Sequence, residues 1–178
     1  MLKRPLKRKP VLSSRASKKP RPVFGWREWA VLPDLPISKI KVKIDTGART
    51  SSLHAFDVIV FRRQGKEFVR FKVHPLQRNT KRILDCEARL SEWRTVTDSG
   101  GKRTVRPVIE TRIMMGAREV MAEVTLISRD AMGFRMLIGR QSLKGVVIDP
   151  SRSYIASDDV YFARLPTSSR RPEQEEEE

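Results

Sequence analysis

Ile44-Asp45-Thr46-Gly47-Ala48 is the stretch from which the rest of the chain can be read. Upstream of it, Ile40, Val42 and Ile44 alternate with Lys39, Lys41 and Lys43, the period of two expected of a half-buried β-strand. The strand is expected to end on Asp45, delivering a single carboxylate at its tip. Thr46 is small and can hydrogen-bond, and Gly47 permits a sharp turn and close backbone approach. Backbone N–H groups can therefore crowd around the carboxylate, which keeps the acid ionised and fixed in place.

Working outward, residues 24–32 form an apolar entry strand containing Phe24, Trp26, Trp29, Val31 and Leu32, broken at Pro33-Asp34-Leu35-Pro36. Residues 53–61 and 67–73 read as two strands joined by Arg62-Arg63-Gln64-Gly65-Lys66, a hairpin signal. After a loop with Pro75 and Asn79 comes Ile83-Leu84-Asp85-Cys86. Residues 92–97 and 102–108 flank Asp98-Ser99-Gly100-Gly101, a strong turn signal for a second hairpin. A third hairpin, 110–115 with 119–127, turns at Gly116-Ala117. Residues 136–139 are an apolar strand ending in glycine, and 141–144 a short helix stopped by Gly145. Residues 146–149 and 154–156 look like closing strands. No long segment has a period of 3.6, so the fold is expected to be all-β, with the short, evenly spaced strands of a barrel or sandwich.

The chain has 178 residues, enough for one domain with a real core. It contains no run of eighteen apolar residues, and Met1-Leu2-Lys3-Arg4-Pro5 has no apolar segment behind its charges, so neither a membrane span nor a secretory signal is expected. The single cysteine, Cys86, cannot form an internal disulfide, in keeping with a cytoplasmic protein. Net charge is +16. Residues 1–22 hold nine Lys and Arg and no acid, with Pro5, Pro10, Pro20 and Pro22 among them; they are expected to form a disordered basic arm. The arm is either an electrostatic anchor on RNA or the ribosome, or a solubilising tail. Residues 23–165 form the expected domain, and 166–178 a flexible tail that holds five glutamates. That tail is either simply solvated or docks in a basic cleft as a substrate mimic. The basic body attracts polyanions, nucleic acid or acidic peptide.

The segment Met136-Leu137-Ile138-Gly139-Arg140-Gln141-Ser142-Leu143, taken with Asp45-Thr46-Gly47-Ala48, resembles the retroviral type of aspartic protease. There, a DTGA turn carries the catalytic acid and an apolar-apolar-Gly-Arg segment packs beneath it. The resemblance implies a closed, retropepsin-like β-barrel with one short helix, and makes the 92–108 hairpin a flap that closes over substrate and excludes water. Peptide hydrolysis by carboxylates needs two acids sharing one proton, and this chain has one Asp-Thr-Gly. The resemblance therefore implies a homodimer with one Asp45 from each subunit on the two-fold axis. Thr46 would hold the two turns together and Gly47 would contact substrate backbone. Asp149, the other acid closing an apolar strand, lacks the Thr-Gly context and is read as structural.

Retroviral enzymes carry an acid two positions after the catalytic glycine, paired with the arginine of the Gly-Arg segment. Here that position is Arg49, facing Arg140, so the usual ion pair is impossible and the two guanidiniums suit carboxylates of a substrate. The chain is also longer between Ala55 and Trp93. Both departures, and Asp45-Thr46-Gly47-Ala48-Arg49-Thr50-Ser51-Ser52-Leu53-His54-Ala55 itself, resemble a branch of retropepsin-like proteins of bacteria and archaea often labelled ATP-dependent zinc proteases. That branch includes proteins linked to trimming the glutamate tails that a ligase adds to a ribosomal protein. The resemblance thus implies an acidic or polyglutamate peptide substrate. It makes Asp45, Thr46 and Gly47 the catalytic turn, and Ala48, Arg49, Ser99, Gly100, Gly101 and Arg140 substrate-binding, with Lys41 or Lys43 nearby.

No cofactor and no metal ligand set is assigned. His54, His74 and Cys86 lack zinc-site spacing, and Gly101-Lys102 fails as a phosphate loop because Val96 stands where the first glycine belongs and Arg103 where Ser or Thr belongs. The competing reading is a non-catalytic ribosome- or RNA-binding protein on the same fold, since fold alone does not fix function.

Overall fold

A computed structural model describes residues 20–97, 100–128 and 133–157. Its strands are β1 (Val23–Gly25), β2 (Arg27–Leu32), β3 (Ile37–Asp45), β4 (Ser51–His54), β5 (Phe56–Arg63), β6 (Lys66–Val73), β7 (Leu84–Thr97), β8 (Arg103–Met115), β9 (Arg118–Ile127), β10 (Met136–Gly139) and β11 (Val147–Asp149), with one 3-10 turn at Arg140–Leu143. The basic arm is described only at residues 20–22, and the acidic tail lies outside the described residues.

Six strands close into a barrel in the order β2-β3-β10-β4-β9-β8, and the pairing of Val31 with Met114 joins β8 back to β2. Closure leaves the ring itself without a free edge that would template aggregation. The inward face is set by alternation: Ile40, Val42 and Ile44 of β3 are buried, as are Leu53, Ile113, Val124, Leu126, Met136 and Ile138 from the other barrel strands. Each such side chain contributes about 1.5–3 kcal/mol by leaving water, so a charge at Val42 or Ile138 would open the barrel.

Beyond β8 the sheet continues as β7, β6 and β5, which are not part of the ring. This extension is the extra length between Ala55 and Trp93. β7 changes partner along its length: residues 84–89 pair with β6, and from Leu90 it pairs with β8, with a bulge between Leu90 and Glu92. The ends of the two long strands, 93–97 and 103–107, pair only with each other and so project as a two-stranded hairpin. This is the expected flap, and Gly101 near its tip has φ +83°, a left-handed conformation that glycine adopts without strain.

Several sequence expectations are corrected. The predicted strand 53–61 is two strands parted at Ala55, because β4 belongs to the barrel and β5 to the extension. Segments 83–86 and 92–97 are one strand, and so are 102–108 and 110–115, because a local bulge bends the sheet without interrupting its ladder. The predicted helix at 141–144 is the 3-10 turn at Arg140–Leu143. Residues 154–156, predicted as a strand, are irregular, and Tyr154 has φ +55°. The Tyr154 N–H donates to the Arg27 carbonyl at 2.9 Å, while those of Ile155 and Ala156 go to a side chain. Glu28, fully buried on β2, accepts from Ile155 N at 3.0 Å and Ala156 N at 3.3 Å, from Gly25 N at 2.7 Å, and from both the N–H (3.2 Å) and the hydroxyl of Ser157. One carboxylate thereby does for this segment what a neighbouring strand does elsewhere.

Candidate active site

Asp45 is the last residue of β3, where the sequence places it, and it sits opposite Gly139, the last residue of the parallel strand β10. β10 lies between β3 and β4 and is antiparallel to β4. The loop from Thr46 to Thr50 must therefore cross the end of β10 to reach the next strand. It does so in contact: a Cβ on Gly139 would stand 2.4 Å from the Thr50 carbonyl oxygen and 2.9 Å from that of Arg49. Only glycine lets the loop lie this low.

Within the loop, Gly47 N and Ala48 N donate to Asp45 Oδ1 at 3.0 and 3.1 Å. Both bonds fall on the same oxygen, and Oδ2 accepts none from the described residues. A Cβ at position 47 would come 3.2 Å from Oδ1, close enough to press on the carboxylate. The carboxylate is half-buried, and Thr46 and Gly47 are exposed beside it.

The loop is held from below by the segment after β10. Arg140 N donates to Ala48 O at 2.9 Å and Gln141 N to Arg49 O at 3.1 Å. The Arg140 guanidinium turns back under the loop, and its Nη1 donates to the carbonyls of Thr46 (2.9 Å) and Gly47 (2.8 Å). A second support is Ser51, buried at the start of β4. Its hydroxyl accepts from Gly139 N at 3.2 Å and lies 3.0 Å from the Ser142 hydroxyl, while its carbonyl accepts from Thr125 Oγ1 at 3.2 Å. Sequence reasoning missed Ser51, Ser142 and Thr125; the one signal available was a run of small hydroxyl residues directly after the turn.

Of the residues expected to bind substrate, Ala48, Arg49 and Arg140 are brought together by this loop. Arg49 is exposed and its charge reaches Glu123 of β9, whose carboxyl lies below its usual range chiefly through a hydrogen bond from Arg94, with Arg49 adding to the effect. Arg94 belongs to the hairpin arm and donates to Glu123 at 2.9 Å, so the flap base is tied to β9 beside the loop. Gly100 and Gly101 sit at the flap tip; Ser99 lies outside the described residues. Asp149 is engaged locally, accepting from Ser151 N (2.9 Å) and Oγ (2.6 Å).

The residues a zinc label would require do not fit a metal. His54 is buried, and its ring faces Phe56. His74 stacks on Phe56 with ring centroids 4.6 Å apart, and its Nδ1 lies 3.0 Å from the Arg82 carbonyl. Burial, with Asp85 nearby, pushes the Cys86 thiol up to about 12, far from the thiolate a metal binds. Among the described residues no group of three His, Cys, Asp or Glu is placed to hold an ion. None of the described helices is long and apolar enough to cross a membrane.

Comparison with known proteins agrees with this geometry. A profile of the RimB-like family, described as the retropepsin-like aspartic endopeptidase RimB, matches residues 23–159. A Shewanella pealeana protein named "probable alpha-L-glutamate ligase" is 40% identical over 133 residues, and one of the same name from Parasynechococcus marenigrum is 39% identical over 137 residues. These matches take in 74% and 76% of this chain but only 29% of each relative, so the chain spans less than a third of their length. The crystal structure of Lpg0085 from Legionella pneumophila, a protein of unknown function, superposes with a TM-score of 0.64 at 24% identity, covering 76% of this chain and 98% of that one. It shares the fold. With a barrel closed around a DTGA turn and a family match over nearly the whole described region, the chain belongs to the RimB-like family of retropepsin-like aspartic endopeptidases.

Proposed function

We propose that the protein is an aspartic peptidase that hydrolyses acidic peptide, with glutamate chains as its substrate, through a dyad of two Asp45 side chains in a homodimer. The observation that carries this reading is the asymmetric support of Asp45. Two N–H groups fix Oδ1 and leave Oδ2 to meet another group. In a dyad that group is the second carboxyl, and two acids this close share one proton. The ionised acid takes a proton from a water, whose oxygen attacks the peptide carbonyl carbon; the protonated acid gives its proton to the carbonyl oxygen. Collapse of the tetrahedral species breaks the C–N bond as the amine nitrogen takes up a proton from the dyad. Arg140 keeps the turn in place rather than touching the reacting atoms, although its remaining guanidinium N–H groups can also meet a substrate carboxylate. Arg49, exposed at the turn, is the nearer candidate for that contact.

Glutamate as the substrate is supported by the basic turn and by the relatives. A stretch similar to this domain occurs within proteins named as glutamate ligases, and a ligase that builds glutamate chains and a peptidase that shortens them act on the same polymer. The test is incubation of the full chain with peptides carrying C-terminal glutamate runs, read by mass spectrometry, beside sedimentation of the protein. Loss of glutamates from the wild type and none from Asp45→Asn supports the reading. Intact peptide in both, or a strictly monomeric active enzyme, overturns it.

A further inference from the structure

The outward face of β2 and β3, leading up to Asp45, carries an arrangement that barrel stability does not explain. Lys39, Lys41 and Lys43 point to the same side of β3, and Asp45 continues that row at its end. Alternate residues on a strand are about 6.6–6.8 Å apart. On the neighbouring strand Arg27 stands directly opposite Lys43, and Trp29 opposite Lys41. Like charges facing one another across a ladder are destabilising. No carboxylate of the described residues lies within ion-pair reach of Arg27, Lys41 or Lys43, so among the described residues no ion pair offsets the repulsion.

The cations are nevertheless held in place. The Trp29 ring is stacked on Tyr154 with centroids 5.8 Å apart, and the Lys39 and Lys41 ammonium groups lie 4.2 and 4.8 Å from the Trp29 centroid. The Arg27 guanidinium lies 4.7 Å from the Trp26 ring and 5.1 Å from Tyr154, and its Nε donates to Ser153 Oγ at 3.0 Å. Cation–π contacts fix the charges without neutralising them. They also occupy the ring of Trp29, with Tyr154 against it and the two lysines near it, which leaves little aromatic surface for a stacking base.

We propose that this face is a docking track for the glutamate side chains of the peptide substrate, guiding an acidic chain along β3 toward Asp45. The inference rests on the peptidase reading and adds to it the route the substrate takes. An extended peptide repeats every two residues over nearly the distance that separates Lys41 from Lys43, so alternate glutamates meet successive cations. The carboxylate nearest the scissile bond sits between Lys43 and Arg27, relieving the repulsion between them. Affinity then grows with the number of glutamates.

Binding of fluorescein-labelled peptides with two and with six glutamates to the full chain carrying Asp45→Asn tests this independently of catalysis. Lys41→Gln with Lys43→Gln is expected to weaken the six-glutamate peptide roughly tenfold, at about the strength of two partly exposed ion pairs. The two-glutamate peptide should change much less. Lys43→Arg, which keeps the charge, retains affinity, and unchanged melting temperatures exclude misfolding. Equal binding of both peptides by wild type and the double variant overturns the track, as does a single-stranded RNA that depends on these lysines and binds more tightly than the peptide. Cleavage assays on the wild-type background separate the two ideas. Lysine-dependent binding without any cleavage keeps the track and removes the peptidase reading. Cleavage with a KM indifferent to the lysines and to glutamate number does the reverse.

Discussion

Asp45 and Glu28 are two carboxylates on adjacent strands of one barrel, and they are held in opposite ways. Glu28 is fully buried and both of its oxygens are occupied, Oε1 by three backbone N–H groups and Oε2 by the N–H and hydroxyl of Ser157. Asp45 is half-buried, and both its bonds converge on Oδ1. A carboxylate satisfied on all sides is a structural tie, because any partner it gained would have to displace one it has. A carboxylate satisfied on one oxygen is held in place and still available. Partner count alone separates the two roles, where residue type cannot.

Amide substitution exposes the contrast most sharply. Asp45→Asn keeps a carbonyl oxygen for Gly47 and Ala48, so it should fold normally while cleavage of glutamate-tailed peptide falls by about a thousandfold or more, the scale of losing an acid–base group. Full activity in Asp45→Asn would place the chemistry elsewhere. Glu28→Gln has the reverse signature. An amide offers one acceptor where five donors converge, so donors are left unpaired in the interior. We expect a loss of about 3 kcal/mol in urea unfolding, and a barrel that tolerates the change would show that residues 155–157 are held by something else.

Smaller effects sharpen the picture of the turn. Arg140→Ala removes two hydrogen bonds to the carbonyls of Thr46 and Gly47 and should cost about 1–2 kcal/mol of stability. Its effect on kcat should exceed its effect on KM if the residue acts by positioning Asp45; a change confined to KM would make it a substrate contact. The smallest effect belongs to Asp34. Side-chain hydrogen bonds from Arg112 hold its carboxyl below the usual range, with Arg112 Nε at 2.8 Å from Oδ1. A depressed native value contributes stability above the unfolded carboxyl's pKa near 4 and loses it as pH falls through the native value. Asp34→Asn should therefore lower stability slightly at neutral pH and leave it unchanged at the acid end. The same difference at every pH would contradict this.

How far the fold is legible in sequence depends on whether a residue's partner is local. The alternation of lysines with Ile40, Val42 and Ile44 gives β3 and its end at Asp45, because a half-buried strand writes its own period. Gly139 and Arg140 are legible through resemblance, and their contacts bear on the same turn from 94 positions away. What stays hidden depends on distant partners. Residues 154–156 have the apolar character of a strand, yet the N–H groups of Ile155 and Ala156 bond to Glu28, a side chain 127 and 128 positions away. Ser51 looks like any surface serine until β10 arrives beside it. The separation of β4 from β5 at Ala55 follows from β4 joining the ring and β5 the extension, and nothing in residues 51–63 states that.

The threading of β10 between β3 and β4 has a consequence for how the protein comes into being. The two strands that flank it are made first, with Asp45 and its glycine already between them, but Arg140, which carries the turn from beneath, is synthesised 94 residues after Thr46. A growing chain that has reached Ile127 contains the whole acidic turn and none of Gly139, Arg140 or Gln141. Pairing over so long a separation is slow to form. The nascent chain thus carries its acid through the synthesis of some 94 further residues without the mount that aims it, and premature termination before β10 yields a fragment with the signature but no assembled turn.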